Sequence, residues 1–262
     1  MGFTSELYPG EPIYDDESPF AGPPAGYATG LEHIPPEGID YSGVAEPFPR
    51  ELLIPRSEWQ ARIQEMEERK SRSSDLVIQA GLPCKDQQRT LYCWINAPVH
   101  CMEMLRVLQN QKMVILSPAS CGAKIKGFRN QGGWGKEGLQ YIAEHGVVPV
   151  DRWPANAIDR QYDKPEAWAE AKKYRTTEWM VLKPRNLDEQ ISLLLHRIPG
   201  AKGQNHWSHE VTDYDAVWLD GEVATRSRNS WGMGYGTQGF FIQRGSKMLA
   251  DDLVAPRVAM AA

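Results

Sequence analysis

Long apolar runs, a basic excess and cysteine are all scarce in this 262-residue chain. No stretch approaches the roughly 18–20 uninterrupted apolar residues that a bilayer span demands, so no membrane partner is expected. The opening Met-Gly-Phe-Thr-Ser-Glu has no basic head followed by an apolar stretch, so no secretory signal is expected either. A net charge of −5 argues against nucleic acid as the main partner. Four cysteines, Cys84, Cys93, Cys101 and Cys121, are too few for a disulfide frame in a chain of this size, and no metal-type C-x-x-C is present. Free thiols in a reducing compartment are expected, one of them open to a special role. The remainder is ordinary: 41% hydrophobic and 24% charged residues, length for one large or two small domains, and nothing that requires a metal or cofactor.

The charge is uneven. Residues 1–55 hold ten acids against one base, Arg50, a local −9 that leaves +4 on the other 207 residues. The same segment contains ten of the nineteen prolines. With Pro-Pro at 23–24 and 35–36 and no helical or strand periodicity, it reads as an extended acidic arm without a fold of its own. Its isolated apolar residues, Tyr8, Ile13, Tyr14, Phe20, Tyr27 and Phe48, suit docking singly into grooves. The +4 body is one surface for them; a neighbouring subunit or partner protein is another.

From Ser57 the pattern changes. Ser57-Glu58-Trp59-Gln60 is a capping box that predicts a helix to about Arg72, with Leu76-Val77-Ile78 leading into a turn at Gly81-Leu82-Pro83. Trp94, Met102, Leu105 and Leu108 predict a buried helix from Cys93 to about Gln111, disturbed near its start by Pro98. Further helices are predicted over 136–145, stopped by Gly146, and from Asn186 through Ile191, Leu194 and Leu195. Beyond Pro199, stretches 211–219, 223–230 and 239–244 read as strands between glycine turns. Helices followed by strands give an α+β fold of two unlike lobes.

Four short segments carry chemistry: Gln87 through Cys93-Trp94, Asn130-Gln131-Gly132-Gly133-Trp134, Trp207-Ser208-His209-Glu210-Val211, and Asn229-Ser230-Trp231-Gly232. Over roughly residues 75–250 their order resembles that of the papain-like cysteine peptidases: a Gln six residues before a nucleophilic Cys-Trp, a Gly-Gly, a His before a strand, Asn-Ser-Trp-Gly, then a Gly-aromatic strand. His209 and Asn229 follow Cys93 by 116 and 136 residues, the first a little short of the ~130–150 usual for that order. The resemblance implies a helical lobe over about 56–160 and an antiparallel β lobe over about 161–262, behind the arm at 1–55. It also implies hydrolysis of peptide bonds in a peptide or protein substrate, with Cys93, His209, Asn229 and Gln87 catalytic. Gly132, Gly133, Trp134, Glu210 and Trp231 are then candidates for substrate contact.

The residue types suit that chemistry. A thiol with a free pKa near ~8.5 is mostly protonated at neutrality, and a helix N-terminus and a neighbouring cation both favour the thiolate. His209 would protonate the leaving amine and later activate water. Asn229 would orient the imidazole, Trp231 would shield that bond, and Gln87 with the Cys93 N–H would stabilise the oxyanion. The glycine pair lets a peptide backbone approach, and Trp134 is a candidate wall for the second side chain before the cleaved bond. His206 is the rival base, but His209 directly precedes the strand. Cys84, Cys101 and Cys121, and His33, His100, His145 and His196, read as ordinary core or surface residues.

Some features depart from the family pattern. Leu91 stands where a glycine is usual, and with Tyr92 it is expected to narrow the cleft. Glu210 sets a carboxylate beside His209, where raising the His pKa, selecting a basic side chain or merely facing solvent are all open. Residues 1–55 are unlike the family's long helical prosegment. The details resemble members from bacterial viruses and bacteria more than the secreted animal and plant enzymes. A cytoplasmic or virion-associated protein is therefore expected. The alternative function is a structural or assembly protein on the same scaffold, for example a virion component, its arm docked on a partner.

Overall fold

The acidic arm stays on the body. A computed structural model describes residues 8–260. In it the arm supplies two-residue strands β1 (Ile13–Tyr14) and β2 (Glu46–Pro47), one at each edge of a single eight-stranded sheet. Residues 1–7 of the predicted arm lie outside the described residues. The body then runs α1 (Arg56–Glu68), α2 (Ser73–Gln79), α3 (Cys93–Leu108), α4 (Pro118–Ile125), α5 (Gly135–His145) and α6 (Pro165–Ala171). It continues with β3 (Thr176–Val181), α7 (Leu187–Leu195), β4 (Gly200–Gln204), β5 (His209–Leu219), β6 (Glu222–Arg228), β7 (Phe240–Gln243) and β8 (Asp252–Ala259). The mixture is α+β and the sheet order is β1-β7-β6-β5-β4-β8-β3-β2. All pairings within the body are antiparallel; the arm's two edge strands pair in parallel. The two arm strands become the sheet's outer edges and, at two residues each, leave only short edges on which another chain could build.

Helix α3 is the centre. Fourteen of its sixteen residues, Cys93 to Arg106, are buried, as befits a helix that is packed on every side. Helices α4 and α5 lie against it, as do strands β4, β5 and β8. Trp94, Ile95, Met102, Leu139, Ile142 and Trp153 belong to the main apolar cluster around it. Pro98, expected to disturb the helix, sits in its second turn without ending it. Helix α1 packs Trp59 and Ile63 against Ile191 and Leu194 of α7 and Ala216 of β5.

Several local expectations need correction. The first helix opens at Arg56 with no side-chain cap and ends at Glu68, because Lys70 turns to φ 49°. The apolar triplet 76–78 does lead into the turn at Gly81, but as part of an unforeseen helix, α2, whose start is fixed by the Arg72 amide and guanidinium on the Asp75 carboxylate. Helices α4 and α6 each place a proline in the first turn, where its missing N–H costs nothing. Strand β4 reads Gly-Ala-Lys-Gly-Gln and β8 contains Pro256, neither a sequence that advertises a strand. Among the described residues no helix is long and apolar enough to cross a membrane.

The arm is anchored by charge as well as by apolar side chains. Glu11, 2% exposed, receives both ends of the Arg226 guanidinium, which also donates to the Ser74 hydroxyl. Arg244 donates to Asp15, and the Ser246 amide and hydroxyl donate to Asp16. Tyr8 and Ile13 are buried with Val217, Leu219 and Ile242, and Phe48 with Met180 and Leu193. Breaking a buried ion pair from one side strands the other charge. Glu11→Ala is therefore expected to cost on the order of 3 kcal/mol in urea unfolding. A loss no larger than the roughly 0.5 kcal/mol of an ordinary surface substitution contradicts this anchoring.

Candidate active site

The turn at 87–90 delivers Gln87 and Cys93 to one place. Thr90 bonds the Gln87 carbonyl through both its amide (3.0 Å) and its hydroxyl (2.7 Å), with Gln88 at φ 51° between them. The chain then enters α3, so Cys93 sits at a helix N-terminus, fully buried. Ser208, at φ 50°, turns the chain into β5 so that His209 is its first residue. Asn229 follows β6, held by its amide on the Gly239 carbonyl at 2.9 Å.

His209, Asn229 and Trp231 come together. The His209 Nε2–H donates to Asn229 Oδ1 at 2.9 Å. Trp231 stacks on the imidazole at 4.5 Å and 22°, and Trp207 meets it edge-on at 5.2 Å. Burial pushes the imidazole down to about 4, opposed only by the Asn229 bond, so the ring is neutral. Its Nδ1 is buried without a hydrogen-bond partner. His206, the rival base, lies in a single 3-10 turn with its ring stacked on Trp207, away from Asn229.

The Cys93 sulfur bonds the arm rather than the imidazole. It accepts the Gly30 N–H at 3.2 Å, and the amides of Glu210 and Trp94 also point to it. Burial, and after it the Glu210 carboxylate, push the thiol up to about 12. The thiol and the imidazole are thus both neutral. Gln87 donates to the arm carbonyl of Ala28 at 3.0 Å and to the Thr90 carbonyl at 2.7 Å, while its oxygen takes the Ser230 hydroxyl.

The arm runs through the cleft without forming a strand, making one isolated parallel bridge between Leu31 and Gly133. Leu31 N–H donates to the Ser208 carbonyl (3.1 Å), Glu32 N–H to Gly133 (3.2 Å), and Gly133 N–H to Gly30 (3.0 Å). A side chain at Gly132 would meet the Gly30 carbonyl oxygen at 2.5 Å, and one at Gly133 would meet the Trp94 ring. Trp134 donates its indole N–H to the Glu32 carbonyl at 3.1 Å and packs with Leu31 and Ile34. Leu91 does border the path, its carbonyl pressed against Gly30. Tyr92 does not narrow the cleft: its ring packs on Gly122 and its hydroxyl donates to the Arg129 carbonyl. Glu210 does not face solvent and does not raise the His209 pKa; it is buried, with Oε2 accepting the Gly135 N–H at 3.0 Å. Ala28, Gly30, Leu31 and Asp252 escaped the sequence reading; Trp207 stood in one of its motifs without a role. In the arm the only signal was one glycine among many. All four cysteines are free, and among the described residues no His, Cys, Asp and Glu gather as a metal-holding group.

No protein-family model matches the sequence, and no curated protein matches it. Solved structures do match in shape. Digestive procathepsin L 3 of the Tenebrio molitor larval midgut superposes with a TM-score of 0.59 at 17% identity, over 67% of this chain and 66%, just under two thirds, of that one. Procathepsin B S9 from Trypanosoma congolense gives 0.62 at 12% identity, over 89% and 87%. Xylellain, a cysteine protease from Xylella fastidiosa, gives 0.54 at 21% identity, over 68% and 83%. The chain has the papain-like fold.

Two outcomes follow for the thiol. A Cβ at residue 30 would sit on the Leu91 backbone, which has no rotamer to yield, so Gly30→Val is expected to lift the arm. Cys93 in that variant should alkylate with iodoacetamide at least about tenfold faster than in the native chain, since reactivity follows exposure and thiolate fraction. An unchanged rate contradicts the close approach. In the native chain the alkylation rate of Cys93 should climb with pH without levelling through roughly pH 9, as for a thiol held protonated. In Gly30→Val, relief of burial lowers the thiol pKa and brings an inflection below that. Identical profiles contradict burial under the arm as the cause.

Proposed function

We propose that this chain is a thiol peptidase whose cleft is closed by its own arm in the state described. One observation carries the reading. Residues 28–32 bond the Cys93 sulfur, the Gln87 amide and the Gly133 backbone, three groups that hydrolysis of an extended peptide on Cys93 requires. The papain-like fold supports it, and two of the similar structures bear the names of proforms.

With the arm lifted, the Cys93 proton passes to His209 Nδ1 and the thiolate attacks the carbonyl carbon of the substrate peptide. The oxyanion accepts from the Gln87 side chain and the Cys93 N–H. The C–N bond breaks as His209 returns its proton to the leaving amine, giving a thioester. Water, deprotonated by the same nitrogen, then releases the acid and restores the thiol. Asn229, by holding Nε2, leaves Nδ1 for the thiol proton, and Trp231 excludes water from that bond. Gly132 and Gly133 align the substrate backbone, while Trp134 and Glu210 border its side-chain pocket. The arm itself is not poised for cleavage, because an amide N–H rather than a carbonyl carbon faces the sulfur.

The assembly reading is less favoured. Tyr8, Ile13 and Phe48, which would dock on a partner, are buried in this chain's own clusters.

The test uses the full-length Gly30→Val background. Labelling of Cys93 by a peptide epoxide and cleavage of peptides should both appear there and vanish on Cys93→Ala. Gln87→Ala should lower kcat by about 10²–10³, the usual loss for one oxyanion donor. Cleavage that persists in Cys93→Ala places the chemistry elsewhere and overturns the reading.

A further inference from the structure

Beneath the arm, three neighbouring strands place two acids either side of a glycine. Gly203 of β4 is opposite Glu210 of β5 and also opposite Asp252 of β8. Residues directly opposite one another project to the same face, so the carboxylates flank a hollow where residue 203 has no side chain. At about 4.8 Å per strand, the two backbones stand roughly 10 Å apart. Arm side chains fill that hollow now. A Cβ at Gly203 would lie 3.1 Å from an Ile34 methyl and 3.4 Å from those of Leu31.

Neither acid has a cation in the hollow itself. Glu210 is 1% exposed, and its Oε1 has no hydrogen-bond partner. Asp252 is 5% exposed and takes the hydroxyl of Tyr41, an arm residue, at 2.9 and 2.7 Å. Lys136, at the rim, donates to the arm carbonyl of Asp40 and lies 5.1 Å from the Tyr41 ring. Burial, and then Asp252, push the Glu210 carboxyl upward; burial pushes Asp252 up to about 6. When the centre of the arm lifts, the hollow loses Leu31 and Ile34, while Tyr41 stays on Asp252. Two desolvated carboxylates over a glycine floor then favour a cation brought in from outside.

We propose that the hollow over Gly203, between Glu210 and Asp252, receives a lysine or arginine side chain of the substrate peptide once the centre of the arm has lifted. As a substrate pocket this rests on the peptidase reading; as a cation site it does not. Leu31 already holds the place of that side chain, since its neighbours pair with Gly133 while it reaches the hollow.

The experiment reads both claims in the full chain. Iodoacetamide labelling of Cys93 is compared in native protein, Leu31→Glu, Leu31→Arg, and Leu31→Arg with Glu210→Gln. Leu31→Glu should label at least about tenfold faster than native, because a third carboxylate expels the arm, whereas Leu31→Arg should label no faster than native. Adding Glu210→Gln to Leu31→Arg should restore fast labelling. If Leu31→Arg labels as fast as Leu31→Glu, the hollow does not hold a cation and the proposal falls. The opened Leu31→Glu chain is then given peptides with arginine or norleucine at the corresponding position. A preference for arginine in kcat/KM that collapses on Glu210→Gln is expected. Cleavage of the norleucine peptide alone overturns the substrate pocket and leaves the peptidase reading standing. No cleavage of either, with the labelling order intact, overturns the peptidase reading and leaves the cation site standing.

Discussion

The Gly30 amide donates to the Cys93 sulfur, and that contact exists because residue 30 has no side chain to hold it off the Leu91 carbonyl. The electrostatics of the site depend on it. With the arm seated, water has no access to the sulfur or the imidazole, and both groups take their neutral forms. A thiolate–imidazolium pair needs either solvent or a preorganised set of donors; here amides surround the sulfur while the imidazole Nδ1 has no partner. The same close approach brings Ala28 to Gln87 and Leu31 to Ser208, so one glycine sets the register of the whole covering segment.

The arm is a strap with strong ends and a weaker middle. At one end a buried ion pair, a parallel edge strand and the Tyr8–Ile13 cluster hold it. At the other, Tyr41 on Asp252, the second edge strand and Phe48 do so. Between them residues 21–26 are all exposed, and residues 30–32 are held by backbone hydrogen bonds of about 1 kcal/mol net each and by the buried Leu31 side chain, with no buried ion pair. Local opening of the centre therefore costs less than release of either end, and the arm has the means to uncover the cleft while staying attached.

The parts legible in the sequence were those whose chemistry is local. A buried helix starting at Cys93 follows from its apolar spacing, and the strand read over 211–219 is present but begins earlier, at His209. That His209 rather than His206 meets Asn229 was already favoured by its place directly before that strand. The illegible parts depend on tertiary partners. Strand β4 has too little side chain to announce itself; it is a strand because β5 and β8 flank it. Residues 76–78 do enter a turn, but nothing in the triplet announced the helix 73–79 that Arg72 and Asp75 cap. The path of the arm could not be read at all, since proline-broken sequence without periodicity says only that a segment is extended. The burial of Glu210 was equally hidden, because it depends on the arm above it and on Gly135 beside it.

Hydrogen exchange resolved to single amides addresses the occupied cleft most directly. The amides of Leu31, Glu32 and Gly133 donate to the Ser208, Gly133 and Gly30 carbonyls across the arm–cleft boundary, so in the full chain at neutral pH they should be protected well beyond the exposed residues 21–26. Exchange at these three amides as fast as in residues 21–26 would contradict a cleft closed by its own arm.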